Sequence, residues 1–115
     1  MDAEKRTQGI RKLDRVMRQV RTSIDPLVPT QMVQAFLTVA ANEGSSLTEI
    51  ADKLGTNLST ASRQLLDLAD RNRKGGEGYK LVDRQIDPKN LRINRYTLTP
   101  KGKLLLDQLI EILED

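Results

Sequence analysis

The chain has 115 residues, no cysteine, no histidine and a net charge of +3. That length builds one domain with a modest core. The composition excludes disulfides, thiolate and imidazole metal sites, cysteine redox sensing and histidine-based triads. Carboxylate or lysine catalysis would need clustered ionisable groups in a pocket. The chain offers no such constellation, so neither an enzyme nor a cofactor is expected. No apolar run approaches the ~20 residues that span a bilayer, and the charged N-terminus is unlike a signal peptide. No membrane partner is expected, and the expected compartment is the cytoplasm.

Residues 3–24 read as a helix. Ile10, Leu13, Met17, Val20 and Ile24 recur at spacings of three and four, a heptad-like stripe on a charged helix. Such a stripe needs a covering surface, either the body of the domain or a second copy. Asp25-Pro26 ends the helix, because proline disfavours the α conformation in the residue before it. Residues 30–43 form the next helix, with Val33, Phe36, Leu37 and Ala40 on one face. Pro29-Thr30 and Gly44 mark its ends. Ser46-Leu47-Thr48-Glu49 has the form of a capping box. Leu47, Ile50, Ala51 and Leu54 give that short helix an apolar face, and Gly55 closes it. In "NLSTASRQLLDLADRN", residues 57–72, Asn57 or Ser59 can cap a further helix. Leu58, Ala61, Leu65 and Leu68 point inward. Ser59, Thr60, Ser62, Arg63 and Gln64 lie off that face.

A capped short helix, a tight turn and a second helix make a helix-turn-helix layout. Short polar side chains on the first turns let a helix end approach base edges, and its amides favour phosphate. An ordinary αα-hairpin with polar residues for solubility has the same pattern. Residues 71–80, "RNRKGGEGYK", read as a glycine-rich basic loop.

"DRQIDPKNLRINRYTLTPKG", residues 83–102, continues into a hairpin. Strands 79–86 and 91–98 flank Asp87-Pro88-Lys89-Asn90. Pairing Ile86 with Leu91 sets Leu81 opposite Tyr96 and Tyr79 opposite Leu98, and a bulge would shift this register. Arg84, Lys89, Arg92 and Arg95 lie on the projecting part. Charge is segregated: residues 71–103 hold ten Lys/Arg against three Asp/Glu, and residues 104–115 hold four acids and no base. A polyanion partner fits that basic segment. A hairpin after a helix-turn-helix, with arginine at its tip, is a wing that could enter a minor groove. Thr99-Pro100 starts the last helix, as cap and first helical residue. Leu104, Leu105, Leu106, Leu109, Ile110, Ile112 and Leu113 cover more than one of its faces. The organisation expected is a packing or dimerisation helix over 1–25, a winged helix-turn-helix over 26–103 and a dimerisation helix over 104–115. The fold class is mainly α with a small β-hairpin.

Residues 29–106 resemble the MarR family of winged-helix transcription regulators. "PTQMVQAFLTVAANEGSSLTEIADKLG" is similar to its second and third helices, and "LSTASRQLLDLAD" to its recognition helix. "LVDRQIDPKNLRINRYTLTPKG" aligns without a gap to its wing. The resemblance implies a sequence-specific regulator that binds double-stranded DNA as a homodimer, repression being expected ahead of activation. It places the helix 57–72 in the major groove, the wing 79–98 in the minor groove and Arg92 at the family's minor-groove arginine. The DNA-contacting set is then Asn57, Ser59, Thr60, Ser62, Arg63, Gln64, Arg84, Lys89, Asn90, Arg92 and Arg95. The dimerising set is Ile10, Leu13, Met17, Val20, Leu105, Leu109 and Ile112. Four features depart from the family's pattern. Asn90 replaces an aspartate that could orient the tip arginine, and Leu91 replaces a basic residue. About eight residues are added around 71–80. The chain stops at Asp115, before the family's usual final dimerisation helix, so a small-molecule effector is not expected. A protein-docking winged helix that acts on polymerase or a replication factor is the alternative.

Overall fold

The computed structural model describes residues 1–70 and 76–115. The end of the expected recognition helix, residues 71 and 72, and the first half of the expected basic loop, residues 71–75, lie outside the described residues. The elements run α1 (Ala3–Ser23), α2 (Thr30–Ala41), β1 (Ser45–Ser46), α3 (Leu47–Leu54), α4 (Leu58–Leu68), β2 (Val82–Asp87), β3 (Asn90–Leu98) and α5 (Pro100–Glu114). They divide into two units. One comprises Met1–Val28 and Leu104–Asp115, the other Pro29–Lys103.

In the first unit the Asp2 side chain caps α1 by accepting the Lys5 amide at 2.7 Å. Helices α1 and α5 meet through polar contacts. The Lys12 ammonium donates to the Leu113 carbonyl at 3.1 Å, Arg15 pairs with Asp115 at 2.9 Å and the Gln19 amide donates to Gln108 at 3.2 Å. Val20, Ile24, Leu105, Leu109 and Ile112 are buried. The rest of the expected α1 stripe is bare: Ile10, Leu13 and Met17 are more than half exposed. Four of the seven residues expected to hold a second copy, Val20, Leu105, Leu109 and Ile112, are therefore already covered. Leu104, Ile110 and Leu113 are the outward apolar groups of α5 instead.

The second unit is a winged helix-turn-helix, as the layout of caps and turns predicts. Its fully buried side chains are Phe36, Val39, Ile50, Leu65, Leu68, Leu81 and Val82. The buried face of α2 is Met32, Ala35, Phe36 and Val39, turned by about one residue, near 100° on a helix, from the expected face. Leu37 is left 41% exposed. The capping box on α3 is complete: the Glu49 amide donates to the Ser46 hydroxyl, and the Ser46 amide donates to the Glu49 carboxylate. Gly55 ends α3 at φ +73°, a left-handed conformation that glycine adopts without a Cβ penalty. Asn57, not Ser59, caps α4, accepting the Thr60 amide at 2.8 Å. Leu58 is then the first residue of α4, at the free end of its inward stripe, and is half exposed rather than buried.

The hairpin belongs to a three-stranded antiparallel sheet of order β1-β3-β2. The added strand, Ser45–Ser46, pairs with Tyr96 and Arg95. Two strands alone are marginal in water, and this third one secures the hairpin at its base. The register differs from expectation. Val82 faces Leu98, Arg84 faces Tyr96 and Ile86 faces Asn94, but Asp87 faces Asn90. The expected pairing thus holds only at the tip. A bulge then inserts Leu91, Arg92 and Ile93 into β3 and shifts every pair toward the base by three residues. Leu81 and Tyr79 lie outside the sheet. Leu81 is fixed instead by its amide, which donates to the Leu68 carbonyl at 2.8 Å.

Candidate nucleic-acid interface

The first turns of α4 place Ser59, Ser62 and Arg63 outward and exposed. The reason lies in the helix phase. Ala61, Leu65 and Leu68 are buried at spacings of four and three, so the residues between them face solvent. Thr60 is half-buried. Gln64 turns inward: its amide donates to the Gln31 side chain at 2.7 Å. It braces α4 against α2 and is not a free reading group. Arg63 has no ion pair or hydrogen bond among the described residues.

Two Asx contacts build the wing tip. The Asp87 carboxylate accepts the Lys89 amide at 2.8 Å, and the Asn90 side chain accepts the Arg92 amide at 3.1 Å. Asn90, which replaces an acid in the family pattern, therefore still shapes the turn, through its amide oxygen. The side chains of Lys89 and Arg92 project without a partner among the described residues. Beside them, Ile86 and Leu91 are 60% and 77% exposed.

Arg95 does not project. Its guanidinium donates to the Asp87 carboxylate at 2.9 Å and to the Gly44 carbonyl at 3.0 Å, and lies 3.6 Å from Glu49. It therefore ties the wing turn to the N-terminus of α3. Sequence alone does not mark Asp87 as the acidic partner, because it lies eight residues from Arg95 and meets it only across the bulge. The Lys89 amide, then Arg95, holds the Asp87 carboxyl below its ordinary range. The Ser46 amide and hydroxyl, with a smaller contribution from Arg95, do the same for Glu49. The stability from both groups is present at neutral pH and is lost as pH falls below the ordinary carboxylate range, through their depressed native values. Scanned by thermal unfolding from about pH 6 to about pH 2, Arg95→Met should show a smaller acid-side fall than wild type. An identical profile would mean that Arg95 does not stabilise these charges.

Arg84 is the cross-strand neighbour of Tyr96. Burial pushes the Tyr96 phenol up, and the nearby Arg84 guanidinium partly opposes that. Among the described residues no group of His, Cys, Asp and Glu could hold a metal ion, and no helix is long and apolar enough to cross a membrane.

No family model and no curated protein matches the chain. Solved structures do. A point mutant of MepR from S. aureus, bound to an oligodeoxyribonucleotide, superposes with a TM-score of 0.71 at 20% identity, covering 95% of this chain and 72% of that one. A MarR transcriptional regulator from Methanosarcina mazei gives 0.66 at 22% identity, covering 96% and 76%. Streptococcus pneumoniae FabT in complex with DNA gives 0.65 at 17% identity, covering 98% and 77%. The chain has the MarR-type winged-helix fold.

Proposed function

We propose that the chain is a sequence-specific, double-stranded DNA-binding regulator of transcription that works as a cytoplasmic homodimer. The observation that carries this reading is the set of exposed polar and cationic side chains on α4 and the wing tip. Ser59, Ser62 and Arg63 stand exposed on the helix, and Lys89 and Arg92 stand unpaired on the bulged tip. Short polar groups and Arg63 suit base edges in a major groove. Arg92 suits the concentrated negative potential of a narrow minor groove. The likeness to MepR and FabT bound to DNA supports the same reading. Repression by occluding a promoter requires nothing further of the chain.

The bare apolar groups of the first unit support the dimer. Ile10, Leu13 and Met17 on α1, with Leu104, Ile110 and Leu113 on α5, are exposed. Each is about half exposed, so covering the remainder would contribute roughly 1 kcal/mol apiece. A selection from random duplexes should therefore converge on inverted repeats, with half-site centres about 10 base pairs apart. Isolated half-sites would remove the dimer, and no convergence would remove sequence-specific reading. A second reading has its own observation. The exposed Ile86 and Leu91 make the wing tip partly apolar, which suits docking on a protein such as polymerase.

A further inference from the structure

A small cleft of about 80 Å³ opens between α4 and the wing, lined by Ser62, Leu65, Leu66, Ala69, Arg84 and Tyr96. Its lining mixes apolar side chains with the polar groups of Ser62, Arg84 and Tyr96. Tyr96 is 5% exposed, yet its hydroxyl has no hydrogen-bond partner among the described residues. The ring is buried but the hydroxyl oxygen is not, so it stays open to a group that enters the cleft. The Arg84 guanidinium lies on the same face of the sheet as Tyr96. Its nearest acid is Asp70 at 4.0 Å, both side chains being largely exposed, so the guanidinium is only loosely held. The Ser62 hydroxyl completes the lining from the helix side. One cation and two hydroxyl groups thus line a space whose volume suits two or three oxygen atoms, at ~30 Å³ for each water-sized group. That donor set matches a phosphate and no base edge in particular.

We propose that this cleft is a phosphate-binding notch that seats one backbone phosphodiester of duplex DNA between the groove entered by α4 and the groove entered by the wing. The inference rests on the DNA-binding reading above and adds Tyr96 to its machinery. Arg84 and Ser62 then position the protein on the backbone rather than read sequence. The neutral Tyr96 hydroxyl donates to a non-bridging oxygen, and Arg84 supplies the opposing charge.

The test uses the full chain, a selected operator and a mixed-sequence duplex. Tyr96→Phe removes one oxygen and keeps the packing. It should weaken binding to both duplexes alike, by about three- to tenfold per site, the size of one hydrogen bond. Its thermal midpoint should be unchanged, since the hydroxyl makes no hydrogen bond among the described residues, whereas a merely structural role would lower it. Arg84→Gln should reduce the slope of log affinity against log salt by about one per site. On an operator carrying an uncharged methylphosphonate at the seated position, wild type should lose affinity and neither variant should lose much more. Wild-type binding with both variants unchanged would overturn the notch and leave the DNA reading intact. A loss confined to the operator would also overturn it, since that is base reading. No binding by wild type at low salt would overturn the DNA reading and the notch with it.

Discussion

Gly102→Ala should destabilise the chain by about 2 kcal/mol or more, although alanine is the better helix former. A Cβ at Gly102 would fall on the Leu81 carbonyl oxygen, deep inside van der Waals contact, and 3.1 Å from the carbonyl carbon. The obstacle is backbone, and it is held from both sides. The Leu81 amide donates to Leu68 at 2.8 Å, and the Leu81 carbonyl accepts the Thr99 amide at 3.1 Å. Helix α5 cannot retreat easily either, because the Gly102 amide donates to the Thr99 hydroxyl cap at 3.0 Å. A clash with fixed backbone lies at or above the top of the ~1–3 kcal/mol that overpacking usually costs. The gain in helix propensity, ~1 kcal/mol, offsets only part of it. The thermal midpoint should fall by roughly 4–8 °C per kcal/mol for a domain of this size. An unchanged or raised midpoint would show that α5 and the Leu81 segment separate freely.

Arg92→Ala should weaken operator binding by about 1–3 kcal/mol per protomer, and so by up to about 6 kcal/mol in a dimer that uses both wings. The side chain has no partner among the described residues, so its removal leaves no buried charge behind. The backbone of the tip should survive, because Asn90 accepts the Arg92 amide and not its guanidinium. The loss should be greatest where the flanks of the half-site are A·T-rich and the minor groove is narrow. Competition titrations with A·T-rich and G·C-rich flanks measure this directly. Equal affinity of mutant and wild type on both would take Arg92 out of the interface.

Much of the fold was legible in the chain because its signals are local. The Ser46–Glu49 capping box, the Gly55 stop and the Thr99-Pro100 start each work within four residues, and each is present as read. The errors came from contacts between distant segments. Nothing in Ser45-Ser46 marks a strand, since two residues become one only when β3 lies alongside. The wing register is not legible in the sequence, because a three-residue bulge lies beside the Asp87–Asn90 turn and an odd shift changes which residues share a face. Leu37 and Leu58 looked like core by spacing, but the true phase of α2 and the cap at Asn57 turn them outward.

The candidate interface divides in the same way. Exposure of Ser59, Ser62, Arg63, Lys89 and Arg92 follows from helix phase and turn position, and sequence places them well. Gln64 and Arg95 have the same polar character but are drawn inward by partners 33 and 51 residues away, Gln31 and Gly44. Tyr96 was read only as a packing residue. Its unpartnered hydroxyl is visible only when Arg84 and Ser62 are seen around it.

The central claim is that the exposed cationic side chains of α4 and the wing bind duplex DNA. The most direct test is fluorescence anisotropy of a labelled mixed-sequence duplex, titrated with the full chain at several salt concentrations. Neutralising Z phosphates releases counterions and gives a slope of about −0.9 Z in log affinity against log salt. A steep negative slope, reduced in Arg92→Ala, is the predicted result. No binding at low salt, or binding that does not respond to salt, would contradict the account and leave the apolar wing tip as a protein-docking surface.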